Sequence, residues 1–231
     1  MRIEWLDSLK GFAIFLVVVG HVILGYIRAE TFTEYQWSLQ FVYDVIYSFH
    51  MPVFFFVAGY FMHIPLKEGF NKFVKDKFIR LMVPYFTIGL LYFPFKLALS
   101  KFANQQINAQ DIWKIFIGVN PDGELWFLYC LFFISILVGL LVKRVNISLL
   151  SISLIIGIFA DVINIFSIPM VSSILYFQFF YVLGLYIKQY KLLDYIKSSV
   201  IVFVSIIVLG MIAFILFWFF FFIFNLFIKC I

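Results

Sequence analysis

Lys10 and His21 stand eleven residues apart in WLDSLKGFAIFLVVVGHVILGYI, a stretch otherwise apolar enough to cross a bilayer. Intramembrane Lys and His are costly, usually face a bundle interior or a water-filled cavity, and mark functional sites. At about 100° per residue, eleven residues return a helix to nearly the same azimuth. One stripe should therefore carry Lys10, Ile14, Val17 and His21, with Asp7 one turn before Lys10. An imidazole titrates near neutral pH, so a stripe of this kind aimed into a bundle can pass protons inside the membrane. A second histidine, His50, lies in SFHMPVFFFVAGYF, two residues before Pro52. Proline removes a backbone donor and clashes with the carbonyl four residues back, at Ser48, so the sequence predicts a bend and free backbone groups beside His50. The bland alternative is a packing kink in which His50 bonds a neighbouring carbonyl.

Three further groups could contribute. The basic connection from His63 to Arg80 ends in KDKFIRLMVPYF. Most of its Lys and Arg are explained by cytoplasmic retention and anionic headgroups. Arg80 is singled out because it enters a span ahead of Pro84 and can point inward to hold a phosphate. The turn signal Asn-Pro-Asp-Gly precedes ELWFLYCLF, which places Asp122 and Glu124 at an outer mouth, with Trp126 as a ligand contact or an interfacial anchor. Asp44 shares that ambiguity, and Asp161 with Asn164 completes a weak polar rim. No Gly-rich phosphate loop, HExxH spacing or GxSxG elbow is found, and the three histidines are too scattered to argue for a metal.

The elements that must position these residues follow from composition. The 231 residues are 65% hydrophobic and 13% charged, with a mean hydropathy of +1.09. Soluble chains are nearer half apolar and a quarter charged. The fold class is therefore all-α, a polytopic transmembrane helix bundle read as one domain over 1–231. A window of roughly 20 residues predicts about seven spans: Leu9–Ile27, Phe41–Met62, Ile79–Leu99, Leu125–Val142, Ile147–Ile163, Pro169–Ile187 and Ser199–Phe224. Twelve of the 17 Lys and Arg fall on one side of these spans. The positive-inside rule then puts the N-terminus in the cytoplasm, in a multi-pass protein of the inner (plasma) membrane. His21 and His50 lie at matching depths in the outer half, with Lys10 near the inner surface, roughly 16 Å away along the helix. The net charge of +5 is topological and does not argue for nucleic acid. Cys130 and Cys230 are not expected to form a disulfide, and the first helix does not read as a cleaved signal.

In the order WLDSLKGFAIFLVVVGH, FHMPVFFFVAGYF, KDKFIRLMVPYF, ELWFLYCLF and, more weakly, FQFFYVLGLYIK, the chain resembles the membrane-bound acyltransferase-3 family. Within it, the likeness is to the branch of fucose-O-acetylase-like and polysaccharide-modifying proteins. The family's basic-residue, ten-residue, histidine motif falls on Lys10 and His21. The resemblance implies transfer of an acyl group, commonly acetyl, from acyl-CoA to a hydroxyl of a cell-surface or lipid-linked glycan, with no bound cofactor. On that reading His21 is the general base or a covalent acyl carrier. His50 orients it, binds the acceptor or stabilises the oxyanion. Lys10 and Arg80 hold the anionic end of the donor, and Asp7, Asp44, Glu124 and Trp126 are the remaining substrate contacts. The resemblance also implies about ten spans where a hydropathy window finds about seven, so a chain lacking its last spans is expected. A proton-coupled transporter or polysaccharide exporter, and an inactive shortened acyltransferase, are the alternatives.

Overall fold

The computed structural model describes residues 4–30, 32–62, 69–100, 107–119, 125–141, 145–163 and 168–192. The seventh expected span, at 199–224, lies outside them. Eight α-helices follow in order: α1 (Glu4–Arg28), α2 (Gln36–Tyr60), α3 (Phe70–Lys77), α4 (Val83–Ala98), α5 (Trp126–Leu141), α6 (Ile147–Ile158), α7 (Ala160–Ile163) and α8 (Val171–Gln189). No strand occurs among the described residues. Among the described residues, four stretches are long and apolar enough to cross a membrane: Asp7–Arg28, Thr33–Tyr60, Phe70–Ala98 and Val171–Gln189. The protein is an all-α, multi-pass membrane bundle.

Three expected elements differ. The basic stretch before Arg80 is not a loop from end to end. From Phe70 it is helix α3, which runs through a π-turn at Phe78–Met82 into α4. The cause is amphipathicity, since Phe73 is buried while Lys72 and Lys75 lie on the exposed side. Pro84 follows directly on the π-turn, where its missing N–H removes a bond that the continuous helix would otherwise make to the preceding turn. The fifth span is divided at Phe159 into α6 and α7, although the hydrogen-bond ladder continues across it (Phe159 N to Ile155 O, 3.1 Å; Ile163 N to Phe159 O, 2.9 Å). The fourth, α5, has only 16 residues.

The described residues fall into two compact units. One is built from the chain up to Val57 with the end of α8 from Ile187, and the other is Ala58–Tyr186. In the first, α1 and α2 fold back on one another. Gln36 Nε2 donates to Ile27 O at 3.2 Å, and a Cβ on Gly20 would stand 3.6 Å from the Ile46 side chain.

In the second unit, Met82, Tyr85, Phe93, Ile107 and Ile115 form a buried core. The Tyr85 hydroxyl donates to Ile115 O at 2.7 Å and so ties the 3₁₀ segment Ala109–Ile117 to α4. That segment starts on a capping box between Asn108 and Asp111 and ends on Gly118, whose φ of 86° suits glycine. Gly59 touches the backbone of Tyr181 so closely that a Cβ would collide with its carbonyl, and Gly139 receives the Phe73 ring. Asn146 caps α6 by accepting from Leu149 N at 2.9 Å.

Candidate active site

On α1 the residues of the expected stripe lie on one unbroken helix, but the stripe does not face the packed side. Leu9, Ala13 and Gly20 are the buried positions. Lys10 and His21 lie roughly a quarter turn round from them, half-buried, and Ile14 between them is 55% exposed. The ionisable stripe thus runs along the border of the buried face. Lys10 Nζ and Asp7 Oδ1 form an ion pair at 3.6 Å across one turn, with both side chains partly exposed. Such a pair holds Lys10 loosely, because partly solvated ion pairs contribute little.

His50 is different: its side chain is buried on α2, at 2% exposure. Its Nδ1 lies 2.7 Å from Ile46 O, one turn back. A carbonyl can only accept, so Nδ1 carries the proton and the neutral ring keeps its lone pair on Nε2. The helix continues through Pro52 to Tyr60, so the proline lies inside a continuous α-helix. The neighbouring-carbonyl bond expected on the bland reading is present, and the same bond fixes the tautomer that has a basic Nε2.

The two histidines come together. His21 follows Gly20 at the close approach of α1 to Ile46, whose carbonyl holds His50, and a charge on His21 is felt at His50. Asp44 is not turned the same way. It sits about 120° round α2 from His50, and its Oδ1 accepts from Gln40 Nε2 at 2.8 Å.

In the second unit, Arg80 is exposed within the π-turn instead of pointing into a core. Lys77, one turn earlier, lies within charge reach of it, with Nζ 5.6 Å from the centre of the Phe73 ring. This makes a two-cation end to the span that α4 completes. Trp126 opens α5, half-buried, with its ring 5.6 Å from that of Phe177. Asp161 is exposed on α7. Glu124, Asp122, Asn164 and His63 lie outside the described residues. Sequence reasoning missed Lys77 and also Tyr43 and Tyr47, which precede His50 by seven and three residues on its own face. The available signal was the Tyr-x3-Tyr-x2-His spacing, hidden because hydropathy counts tyrosine as filler.

A family model described as an acyltransferase domain, acyltransferase-3, matches residues 3–230. The chain belongs to this acyltransferase family. Two relatives are both described as nodulation protein NolL. The one from Mesorhizobium japonicum is 26% identical over 188 residues, 79% of this chain and 47% of that protein. The one from Sinorhizobium fredii is 34% identical over 79 residues, 34% of this chain and 21% of that protein. The chain therefore spans less than half the length of these curated relatives. No solved structure matches it. Lys10 and His21 both lie on α1, and His50 approaches His21 from α2.

Proposed function

We propose that this acyltransferase-family protein moves an acyl group, acetyl in the simplest case, from acyl-CoA to a hydroxyl of a cell-surface or lipid-linked glycan. The observation that carries the reading is the meeting of His21 and His50 on adjacent apolar helices in a chain of this family. The basic residues orient the N-terminus toward the cytoplasm and the membrane as the inner one. Donor then arrives at the Lys10 end of α1 and acceptor at the end nearer His21. Lys10 supplies charge for the donor's phosphates. Arg80 and Lys77, in the other unit, form a cationic pair of their own.

In the reaction, the acceptor oxygen attacks the thioester carbonyl carbon while His21 takes the hydroxyl proton. The new C–O bond forms, the C–S bond breaks, and the proton passes from the imidazolium to the departing thiolate. His50, neutral with Nε2 as acceptor, orients the hydroxyl or His21 by hydrogen bonding. Carriage of the acyl group on a histidine is the two-step form of the same chemistry. Family membership favours group transfer over transport.

The test is transfer of radiolabel from acetyl-CoA into membrane glycans. His21→Ala should reduce it by about a hundredfold or more with membrane insertion unchanged. Lys10→Ala should chiefly raise the KM for acetyl-CoA. Full transfer by His21→Ala would refute the assignment.

A further inference from the structure

An aromatic ladder leads along α2 to His50. Tyr43, Tyr47, His50 and Phe54 follow at steps of four, three and four residues and so share a face. Tyr43 and Tyr47 have ring centres 4.9 Å apart, and their side chains are joined by a hydrogen bond. Tyr47 meets the His50 ring edge-on at 4.8 Å and 89°, and Phe54 lies beyond it at 6.5 Å and 90°. Arg28, exposed at the end of α1, is within charge reach of Tyr43. Both tyrosines are half-buried, whereas His50 is enclosed.

The residue type is informative. This chain has 34 Phe and 13 Tyr, and on the far side of His50 the rung is Phe54. Phenylalanine would serve for packing on the near side too, without adding hydroxyls that must be satisfied in an apolar span. Two tyrosines instead present an aromatic surface with a polar rim, which suits a sugar ring: one apolar C–H face and hydroxyls around its edge.

We propose that Tyr47, braced by Tyr43, is the platform on which the acceptor sugar stacks, bringing its hydroxyl to Nε2 of His50 and to His21. Arg28 marks the entrance, where it meets the polar end of the glycan. The proposal rests on the acyl-transfer reading and adds to it the residue that selects a sugar ring over other alcohols.

The full chain in nanodiscs is given radiolabelled acetyl-CoA with methyl fucoside, methyl glucoside or methyl N-acetylglucosaminide as acceptor. Tyr47→Leu should raise the acceptor KM about tenfold and leave the acetyl-CoA KM unchanged. Tyr47→Trp, which keeps a ring with a polar edge, should stay within about threefold of the wild type, and Tyr47→Phe, which keeps the ring without the hydroxyl, should lie between it and Tyr47→Leu. A purely structural role would restore packing with Phe as well as Trp and would give no split between the two KM values. Should Tyr47→Leu fail to accumulate, Tyr47→Met takes its place, with sugar-induced thermal stabilisation in detergent as a second readout. An unchanged acceptor KM in an active Tyr47→Leu or Tyr47→Met protein, or equal rises in both KM values, overturns the platform and leaves acyl transfer standing. A wild-type protein that neither acetylates nor is stabilised by any of the three sugars removes both.

Discussion

In α1 and the first half of α2, a contact between the helices carries polar groups beside it: Gly20 and Ile46 meet, and His21 and His50 lie next to them. Among the described residues from Ala58 to Tyr186, the close approaches are packing contacts and hydrogen bonds to backbone carbonyls, such as Gln178 Nε2 to Ser153 O at 3.2 Å. Gly59 lies against the Tyr181 backbone and Gly139 under the Phe73 ring, and Tyr85 pins the 3₁₀ segment through Ile115 O. Little of the α1 span is buried, against half of the span that includes α2. The contrast shows how such a bundle accommodates titratable groups. His21 sits on the helix that is only partly covered, whereas His50 is enclosed on α2 with its Nδ1 bonded to Ile46 O. Shape-matched contacts elsewhere provide the stability. Chemistry and stability should therefore respond to different substitutions.

The largest effect expected within that contrast is His50→Phe. The ring shape is retained and Nε2 is lost, so acyl transfer should fall about a hundredfold with thermal unfolding in detergent near the wild-type value. Loss of stability comparable to the loss of transfer would mean that His50 belongs with the packing residues after all. Gly59→Ala should do the reverse. Its methyl meets the Tyr181 carbonyl, which should lower stability by about 1–3 kcal/mol, while transfer per folded molecule stays within twofold. Inactive but stable Gly59→Ala protein would end the separation of roles.

The smallest effect concerns pH at the 3₁₀ segment. The Asn108 N–H donates to Asp111 Oδ2 at 2.8 Å, and Lys114 Nζ lies 2.7 Å from Oδ1. These partners, the backbone bond first, hold the Asp111 carboxyl below its usual range. A depressed carboxylate contributes stability above its unfolded value and loses it as pH falls through the folded one. The protection factor of the Asn108 amide, which removes the intrinsic pH dependence of exchange, should therefore hold on acidification to the ordinary carboxylate range and fall only below it. Asp111→Asn should show the lower protection factor already at neutral pH, and protection that begins to fall within the ordinary range would contradict the cap.

Much of this architecture was legible in the chain. Hydropathy located the helices that became α1, α2, α4 and α8, because long apolar runs leave few alternatives in lipid. It passed over α3, whose lysines lower the average even though Phe73 anchors the helix. The nearness of His21 and His50 followed from counting residues inward from the connection between α1 and α2, which needs only the helical rise. The direction of the Lys10 stripe did not, because periodicity says which residues share a face and not which face is covered. Asp44 is taken up by Gln40 on its own helix, a local competition that no long-range motif signals. Tyr47 was invisible for the opposite reason, because its spacing to His50 matters and its hydropathy does not.

The length of α5 has a consequence for the surrounding lipid. Sixteen helical residues span roughly 24 Å, against a hydrocarbon core of about 30 Å. Lipid beside such a helix thins, or flanking polar side chains reach outward to meet the headgroups. Under the proposed acyl transfer, such thinning would shorten the path between the two aqueous faces, and the host bilayer would help to set the rate as much as any side chain.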